Sequence, residues 1–134
     1  MLRRIIDAIR MPPPIPLQVW RGPQVLFNSI DTASRFTSRL RGLLGRPPLN
    51  GEQGLLLSPC TGVHTIGMTW PIDVVFIDGE GVIIRCVPRL VPMRAASARG
   101  SRHVLELAAG SIARHELKPG QRLQWTAGVG PATG

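Results

Sequence analysis

Short apolar runs, separated by turn-forming residues, dominate the middle of the chain. Apolar and β-branched residues bounded by Gly, Pro and Asp are typical of strands. The pattern therefore predicts strands around Val19 and at residues 25–30, 55–57, 63–68, 72–77, 82–87, 104–107 and 121–125. The sequence Asp-Gly-Glu-Gly at residues 78–81 predicts a hairpin between two of these strands.

Two segments show helical spacing instead. Residues 32–46 place apolar side chains on one face and arginines elsewhere, and two prolines follow, so they predict the main helix. Residues 108–117 predict a short helical or turn segment. The predicted fold class is α+β: a small, β-rich, mostly antiparallel, barrel-like domain with one main helix and one short helix.

The two ends of the chain differ from its middle. Residues 1–16 combine an amphipathic segment, MLRRIIDAIRM, with the run PPPIP, which predicts an extended linker. The basic amphipathic segment fits either a helix on a membrane surface or partner, or a terminal helix docked on its own domain. Residues 17–125 form the predicted β-rich domain, and residues 126–134, which lack periodicity, are predicted to be disordered.

The formal net charge is +8, and nearly all basic residues are arginines. Because the arginines are scattered, an ordinary solvated surface and a contact with an anionic partner both remain open. Tyrosine is absent, so a platform of stacked aromatic side chains for nucleic acid is not expected. The expected partner is an unidentified small ligand or protein, with a weak membrane-surface contact through residues 1–11 as a further option.

The sequence shows no secretory signal and no apolar run of the roughly 18 residues that a membrane span needs. It contains two cysteines, Cys60 and Cys86, which set few limits on the fold. We therefore expect a cytoplasmic protein whose thiols are reduced.

Cys60 and His64 are the most prominent candidates for chemistry. Their spacing would bring the two side chains together in a helix, but the glycines and β-branched residues around them favour a strand. In a strand the side chains would lie about 13 Å apart, too far for a direct hydrogen bond or a shared metal. Only a turn or bulge at Gly62 would bring them together.

Three interpretations of Cys60 are open. A nucleophilic thiolate would use His64 or His103 as its base. A zinc site would combine Cys60, His64, Cys86 and His103, although no close ligand pair is present. A buried thiol in the core is the interpretation that we favour, because free cysteines usually behave as small apolar residues. Accordingly, we assign no catalytic residue, no metal and no cofactor.

Asp73 stands among apolar residues in the run PIDVVFID. A buried carboxylate is costly unless backbone N–H groups or an arginine satisfy it. We expect a structural role for Asp73, with Arg85, Arg94 or Arg102 as its partner.

Four segments match the pattern of a known family in their order and spacing. They are GLLGRPPL at residues 42–49, GLLLSPCTGVHTIGMTWPIDVVFID at residues 54–78, HVLELAAG at residues 103–110, and the strand after KPGQ. Over residues 31–125 the chain thus resembles the DUF192 family, also called UPF0127, of bacterial and archaeal proteins. The resemblance implies a compact β-rich barrel with two short helices, an aspartate at position 73 that other members share, and no established activity.

The chain departs from the family pattern at residues 64–70, HTIGMTW. Many members have a Trp-Met-Lys-Asn-Thr type segment there. Met68 keeps its place, but the lysine and the asparagine are missing, so no role of those groups can be transferred.

The same region predicts a ligand site, because small antiparallel barrels bind ligands at a rim where a strand bends or a loop crosses. We expect a shallow pocket, with Asp73 fixing the strand beneath it, lined by Cys60, His64, Met68, Trp70 and Arg94. That His64 and Met68 are core residues stays open. The predicted function is a non-enzymatic ligand- or partner-binding accessory module. The alternative is a cysteine-dependent hydrolase or transferase that uses Cys60 with a nearby histidine.

Overall fold

The computed structural model describes residues 16–33, 49–51, 53–65 and 68–127. The predicted amphipathic segment, most of the linker and of the main helix, Gly67 and most of the predicted tail lie outside these residues.

The described residues form nine strands and one short helix. The strands are β1 (Leu17–Arg21), β2 (Gln24–Ala33), β3 (Gln53–Leu57), β4 (Gly62–His64), β5 (Ile72–Ile77), β6 (Ile83–Leu90), β7 (Ala95–Ser97), β8 (His103–Ala108) and β9 (Gln124–Ala127). The helix is α1 (Ser111–Arg114), within the segment that the sequence predicts to be helical or turn. In this part of the chain, no helix has the length and apolar character that crossing a membrane requires.

Seven strands form one sheet in the order β6-β5-β8-β3-β2-β1-β9, and β4 pairs with β7 in a separate ribbon. The β2–β3 pair is parallel, and the other ladders are antiparallel. The predicted hairpin at residues 78–81 connects β5 to β6. The prediction of a β-rich, mostly antiparallel fold is therefore confirmed.

The barrel-like description is not confirmed, because the sheet does not close. Its two edge strands, β6 and β9, approach each other at one end, where Val82 and Arg122 form an isolated bridge. Farther along β6, Pro88 cannot donate a backbone hydrogen bond and Arg89 has a positive φ of 50°. Both features make β6 a poor partner for a further strand.

The central strands β3, β5 and β8 contain mostly buried residues. Because side chains alternate along a strand, each central strand contributes to two cores on opposite faces of the sheet. We name these the first face and the second face. The first-face core includes Phe27, Ile30, Leu56, Val75, Ile77, Leu105, Leu107, Ile112 and Leu123. The second-face core includes Leu55, Leu57, Val63, Met68, Ile72, Val74, Phe76, Leu90 and Val104.

Three segments differ from the sequence prediction. Of the strand predicted at residues 63–68, Val63 and His64 belong to β4, whereas Thr65 leaves the ladder and its hydroxyl donates to the Val91 carbonyl at 2.7 Å. Strand β7 lies where the sequence predicts a loop. Alanine and serine have little β-propensity of their own, so the strand forms only because it pairs with β4. Strand β9 includes Thr126 and Ala127, which the sequence assigns to the tail.

Asp73 is fully buried and joins β5 to two other elements. Its Oδ1 accepts the N–H of Arg89 at 2.9 Å, and its Oδ2 accepts the N–H of Ile112 at 2.8 Å. The partners are therefore backbone groups, and not the expected side chain of Arg85, Arg94 or Arg102. The physical reason is that the first turn of a helix leaves N–H groups without intrahelical acceptors, and the carboxylate satisfies one of them in α1. Asp73 thus fixes α1 and the end of β6 to the centre of the sheet.

Candidate functional site

Cys60 lines a pocket of about 360 Å³, which we name the Cys60 pocket. The Cys60 thiol donates to the Gly62 carbonyl at 3.1 Å. The backbone of Cys60 is fixed by an N–H bond to the Arg102 carbonyl and by the Ser101 hydroxyl, which donates to the Cys60 carbonyl at 2.9 Å. Apart from Arg102, the lining consists of small side chains and backbone, namely Pro59, Cys60, Thr61, Gly62 and Ser101.

The other four predicted lining residues are not part of this pocket. Met68 is buried in the second-face core, and Trp70 packs against that core. His64 pairs with Ala95 in the β4–β7 ribbon, and Arg94 directly precedes Ala95. The five residues that were predicted to line one pocket therefore lie in three places: the Cys60 pocket, the second-face core, and the β4–β7 ribbon with the residue before it.

The residues of the zinc interpretation are also divided. Within the described ranges, no group of three or more His, Cys, Asp or Glu side chains lies close enough to hold a metal ion. Cys60 packs against the second-face core, whereas Cys86 packs against the first-face core. Burial raises the pKa of the Cys86 thiol, and the nearby charge of Asp73 raises it further. Both cysteines are free thiols.

A larger cleft, of about 410 Å³, lies beside the first-face core, and we name it the His103 cleft. Three separate segments build it: the β5–β6 turn, the first residue of β8, and the start of β9. Its lining consists of Gly79, Glu80, Gly81, His103, Leu123, Gln124, Trp125 and Thr126. An aromatic ring, an imidazole, a carboxylate, an amide and a hydroxyl therefore surround one open space.

His103 is held from two sides. The Ser58 hydroxyl and Nδ1 of His103 share a hydrogen bond of 2.7 Å, in which the tautomer of the ring decides which atom donates. The indole of Trp125 meets the imidazole edge to face, with ring centroids 4.9 Å apart and an interplanar angle of 76°. The described residues offer Nε2 of His103 no hydrogen bond, so this atom is available to a ligand.

The electrostatic surroundings of His103 favour the neutral ring. Burial lowers the pKa of His103 below its ordinary value, and the positive charge of Arg102 lowers it further. The negative charge of Asp78 acts in the opposite direction and offsets part of the shift. At neutral pH, Nε2 is therefore presented by an uncharged imidazole.

Asp78 and Gly81 shape the turn that forms one wall of the cleft. Oδ1 of Asp78 accepts the N–H groups of Glu80 and Val82 at 2.8 and 3.0 Å, and these bonds lower the pKa of Asp78. Gly81 has a φ of 88°, and a Cβ at this position would stand 2.6 Å from the Leu123 carbonyl oxygen. Only glycine lets the turn approach the start of β9 so closely.

The sequence predicts His103 only as an alternative base or zinc ligand, and it does not predict the cleft. The cleft joins segments that are far apart in the chain, so no local motif marks it. One signal was available: alternation along β8 places His103 on the same face as Leu105 and Leu107, at the end of a buried strand.

Two solved structures resemble this chain in fold. A protein of unknown function from Novosphingobium aromaticivorans DSM 12444 has a TM-score of 0.70 and 24% identity, over 82% of this chain and 84% of that chain. A "putative transcription regulator" from Sinorhizobium meliloti 1021 has a TM-score of 0.69 and 24% identity, over 81% of this chain and 91% of that chain. At this identity the likeness concerns the fold alone. No curated protein matches the chain significantly.

The family model of DUF192, described as "Uncharacterized ACR", matches residues 20–125. This range begins in β1 and ends in β9, so it includes both faces of the sheet, the Cys60 pocket, and the lining of the His103 cleft except Thr126. The family expected from the sequence is therefore confirmed, and the chain belongs to the DUF192 family.

Proposed function

We propose that this protein is a non-enzymatic binding module that takes up a small ligand in the His103 cleft. The observation that carries the proposal is the pair of His103 and Trp125, held 4.9 Å apart at the side of an open space of about 410 Å³. Ligand sites combine an apolar or aromatic wall with a few fixed polar groups, and a space of this size suits a small molecule. Ser58 acts as a positioning residue, because its bond to Nδ1 orients the ring.

The lining indicates the class of ligand. Trp125 and Leu123 offer apolar surface, whereas His103, Gln124 and Thr126 offer hydrogen-bonding groups. Glu80 is the only charged side chain of the lining, and it is weakly paired with Arg122 outside it, at 3.8 Å. A carboxylate disfavours anions, so we expect an uncharged polar molecule with one apolar or flat side.

The experiment is a chemical-shift screen of the 15N-labelled full chain with uncharged polar compounds, such as polyols, cyclic sugars, nucleosides and small amides. A ligand of the cleft should shift the amide signals of residues 79–81, 103 and 123–126. The variants Gln124→Ala and Thr126→Val should weaken binding by roughly 5- to 20-fold, the effect of losing one hydrogen bond. Shifts confined to residues 59–62 and 101–102, or binding that both variants leave unchanged, would contradict the proposal.

A matched control variant is Thr32→Val. Thr32 is also an exposed threonine on a strand of the large sheet, but it does not line the cleft. The substitution should leave ligand binding unchanged, which separates a specific contact of Thr126 from a general effect of losing a surface hydroxyl.

The competing proposal is a cysteine-dependent hydrolase or transferase. Its support is that Cys60 lines a pocket beside the cationic side chain of Arg102. Two contacts weigh against it. The Cys60 thiol donates its proton to the Gly62 carbonyl. In addition, the imidazole of His103 packs with Trp125 at the first-face core, whereas Cys60 packs against the second-face core. We therefore favour the binding module.

We also propose that the module works in the cytoplasm. The two free cysteines support this location, because a reducing compartment protects unpaired thiols from oxidation. Fractionation of cells that produce the tagged full chain would test it, and recovery in the periplasmic fraction would contradict it.

A further inference from the structure

The charged side chains of residues 81–105 are all of one sign. Between Glu80 and Glu106 the sequence has no acidic residue, but it has five arginines. All five side chains are exposed: Arg85, Arg89, Arg94, Arg99 and Arg102. Within the part of the chain that the structure describes, none of them forms an ion pair. Their charge is therefore available to an anionic partner.

Two apolar side chains lie within the same stretch. Val91 is 46% exposed and Met93 is 66% exposed, and they are the large apolar side chains that the described residues expose most. Both are placed between Arg89 and Arg94 in the loop after β6. Residues 89–94 thus combine an apolar tip with basic flanks, and we name them the basic loop.

Two buried side chains, those of Asp73 and Thr65, form hydrogen bonds to the backbone of the basic loop. The Asp73 carboxylate accepts the N–H of Arg89. The hydroxyl of Thr65, a fully buried residue, donates to the Val91 carbonyl and accepts the N–H of Arg94. Thr65 donates its backbone N–H to the Arg94 carbonyl at 2.8 Å and accepts the N–H of Met93 at its own carbonyl.

The backbone of the loop is also strained. Arg89 and Met93 have φ values of 50° and 65°, a region that side chains with a Cβ rarely occupy. Strain of this kind persists only where the surroundings enforce it, and it is concentrated at functional positions. An exposed methionine and valine are thus presented in a fixed conformation, and not on a loop that could fold them inward.

We propose that the basic loop is a docking surface for an anionic phospholipid membrane. Val91 and Met93 enter the headgroup region, where apolar side chains gain from leaving water. The guanidinium groups of Arg89 and Arg94 bind lipid phosphates, which suit the planar geometry of arginine. A nucleic-acid backbone would use the arginines but not the apolar tip, so the exposed Val91 and Met93 favour the membrane.

The experiment measures sedimentation of the full chain with vesicles of phosphatidylcholine that contain about one-third phosphatidylglycerol. We expect binding to these vesicles and much weaker binding to pure phosphatidylcholine. The double variant Arg89→Gln/Arg94→Gln should weaken binding by roughly 25-fold, about fivefold for each basic residue at the surface. The double variant Val91→Ser/Met93→Ser, which keeps the charge, should weaken it several-fold.

The matched control is Arg114→Gln/Lys118→Gln. It removes the same net charge from exposed residues at α1 and after it, so it should bind nearly as well as the original chain. Equal losses in both charge variants would overturn the proposal, because binding would then follow net charge alone. Vesicle binding that neither loop variant changes would overturn it too, since another segment would be responsible. Binding to duplex DNA but not to vesicles would assign the arginines to nucleic acid and overturn the membrane proposal.

Discussion

The Cys60 pocket adjoins the second-face core, the His103 cleft adjoins the first-face core, and the two are built in different ways. Four of the six residues that line the Cys60 pocket are consecutive in the sequence, and its walls are small side chains and backbone. The His103 cleft unites three distant segments, and it presents an aromatic ring and an imidazole in fixed contact. A conspicuous local spacing, such as that of Cys60 and His64, therefore need not mark the site that offers more functional groups to a ligand.

The first face should depend most strongly on Asp73. The substitution Asp73→Ala removes the acceptor of one buried and one partly buried N–H group, and we expect a loss of about 2–4 kcal/mol in the free energy of unfolding. Asp73→Asn keeps the shape and one acceptor oxygen, so it should cost about half as much. Urea unfolding of the variants measures both values.

Asp78 provides the matched control for this prediction. It also accepts two backbone N–H groups, but it lies in a solvent-exposed turn, so Asp78→Ala should cost far less than Asp73→Ala. Equal losses would show that burial of the carboxylate does not decide its contribution.

The second face has its own buried polar anchor in Thr65. The hydroxyl donates to the Val91 carbonyl and accepts the N–H of Arg94, so Thr65→Val should cost about 1–3 kcal/mol at nearly unchanged volume. Thr61→Val, at an exposed position of the Cys60 pocket, should change stability by less than about 0.5 kcal/mol. Thermal unfolding of both variants tests the difference, and a stability of Thr65→Val equal to that of the original chain would contradict it.

The two thiols offer a direct comparison of the faces. Cys60 lines a pocket, whereas burial and the charge of Asp73 raise the pKa of Cys86. At pH 8 we expect iodoacetamide to modify Cys86 more slowly than Cys60, because only the thiolate reacts and the raised pKa keeps Cys86 protonated. Peptide mass spectrometry after timed exposure measures the two rates, and the single variants Cys60→Ser and Cys86→Ser confirm the assignment.

Urea should remove the difference in modification rate between the two thiols, since both then have the ordinary surroundings of an unfolded chain. Faster modification of Cys86 in the folded protein would show that the first face is the more accessible of the two. Modification of Cys60 within seconds at pH 6 would instead support the alternative function, a cysteine-dependent hydrolase or transferase.

Local patterns predicted much of the fold. The turn at residues 78–81 was predictable because its residues define a hairpin, and the apolar run of β5 correctly indicated burial. Strand β7 was not predictable, because Ala-Ala-Ser acquires its conformation from pairing with β4. The partners of Asp73 were not predictable either. They are backbone N–H groups, which every non-proline residue carries, so residue identity gives no indication of which ones will be near.

Local sequence patterns could not predict the His103 cleft, for a related reason. The contact of His103 with Trp125 depends on the order of the strands, which brings β9 and the β5–β6 turn to the same end of the first face. The family resemblance gave the fold class but no site. The choice between the two clefts therefore rests on geometry.

The smallest expected effect concerns the titration of His103. Burial and the charge of Arg102 lower its pKa below the ordinary value of about 6.5, so folding favours the neutral ring. In the unfolded chain the ring takes up a proton near pH 6.5, whereas in the folded chain it does so only at lower pH. The contribution of His103 to stability is therefore fully present above pH 6.5 and is lost as the pH falls through the lowered value.

His103→Gln should show a weaker fall in stability between pH 7 and pH 5, and Arg102→Gln should move the pKa of His103 upward in an NMR titration of the ring. A His103 pKa at or above 6.5 would mean that the ring is solvated like an ordinary surface histidine. The cleft would then lose the desolvated imidazole that distinguishes it from the Cys60 pocket.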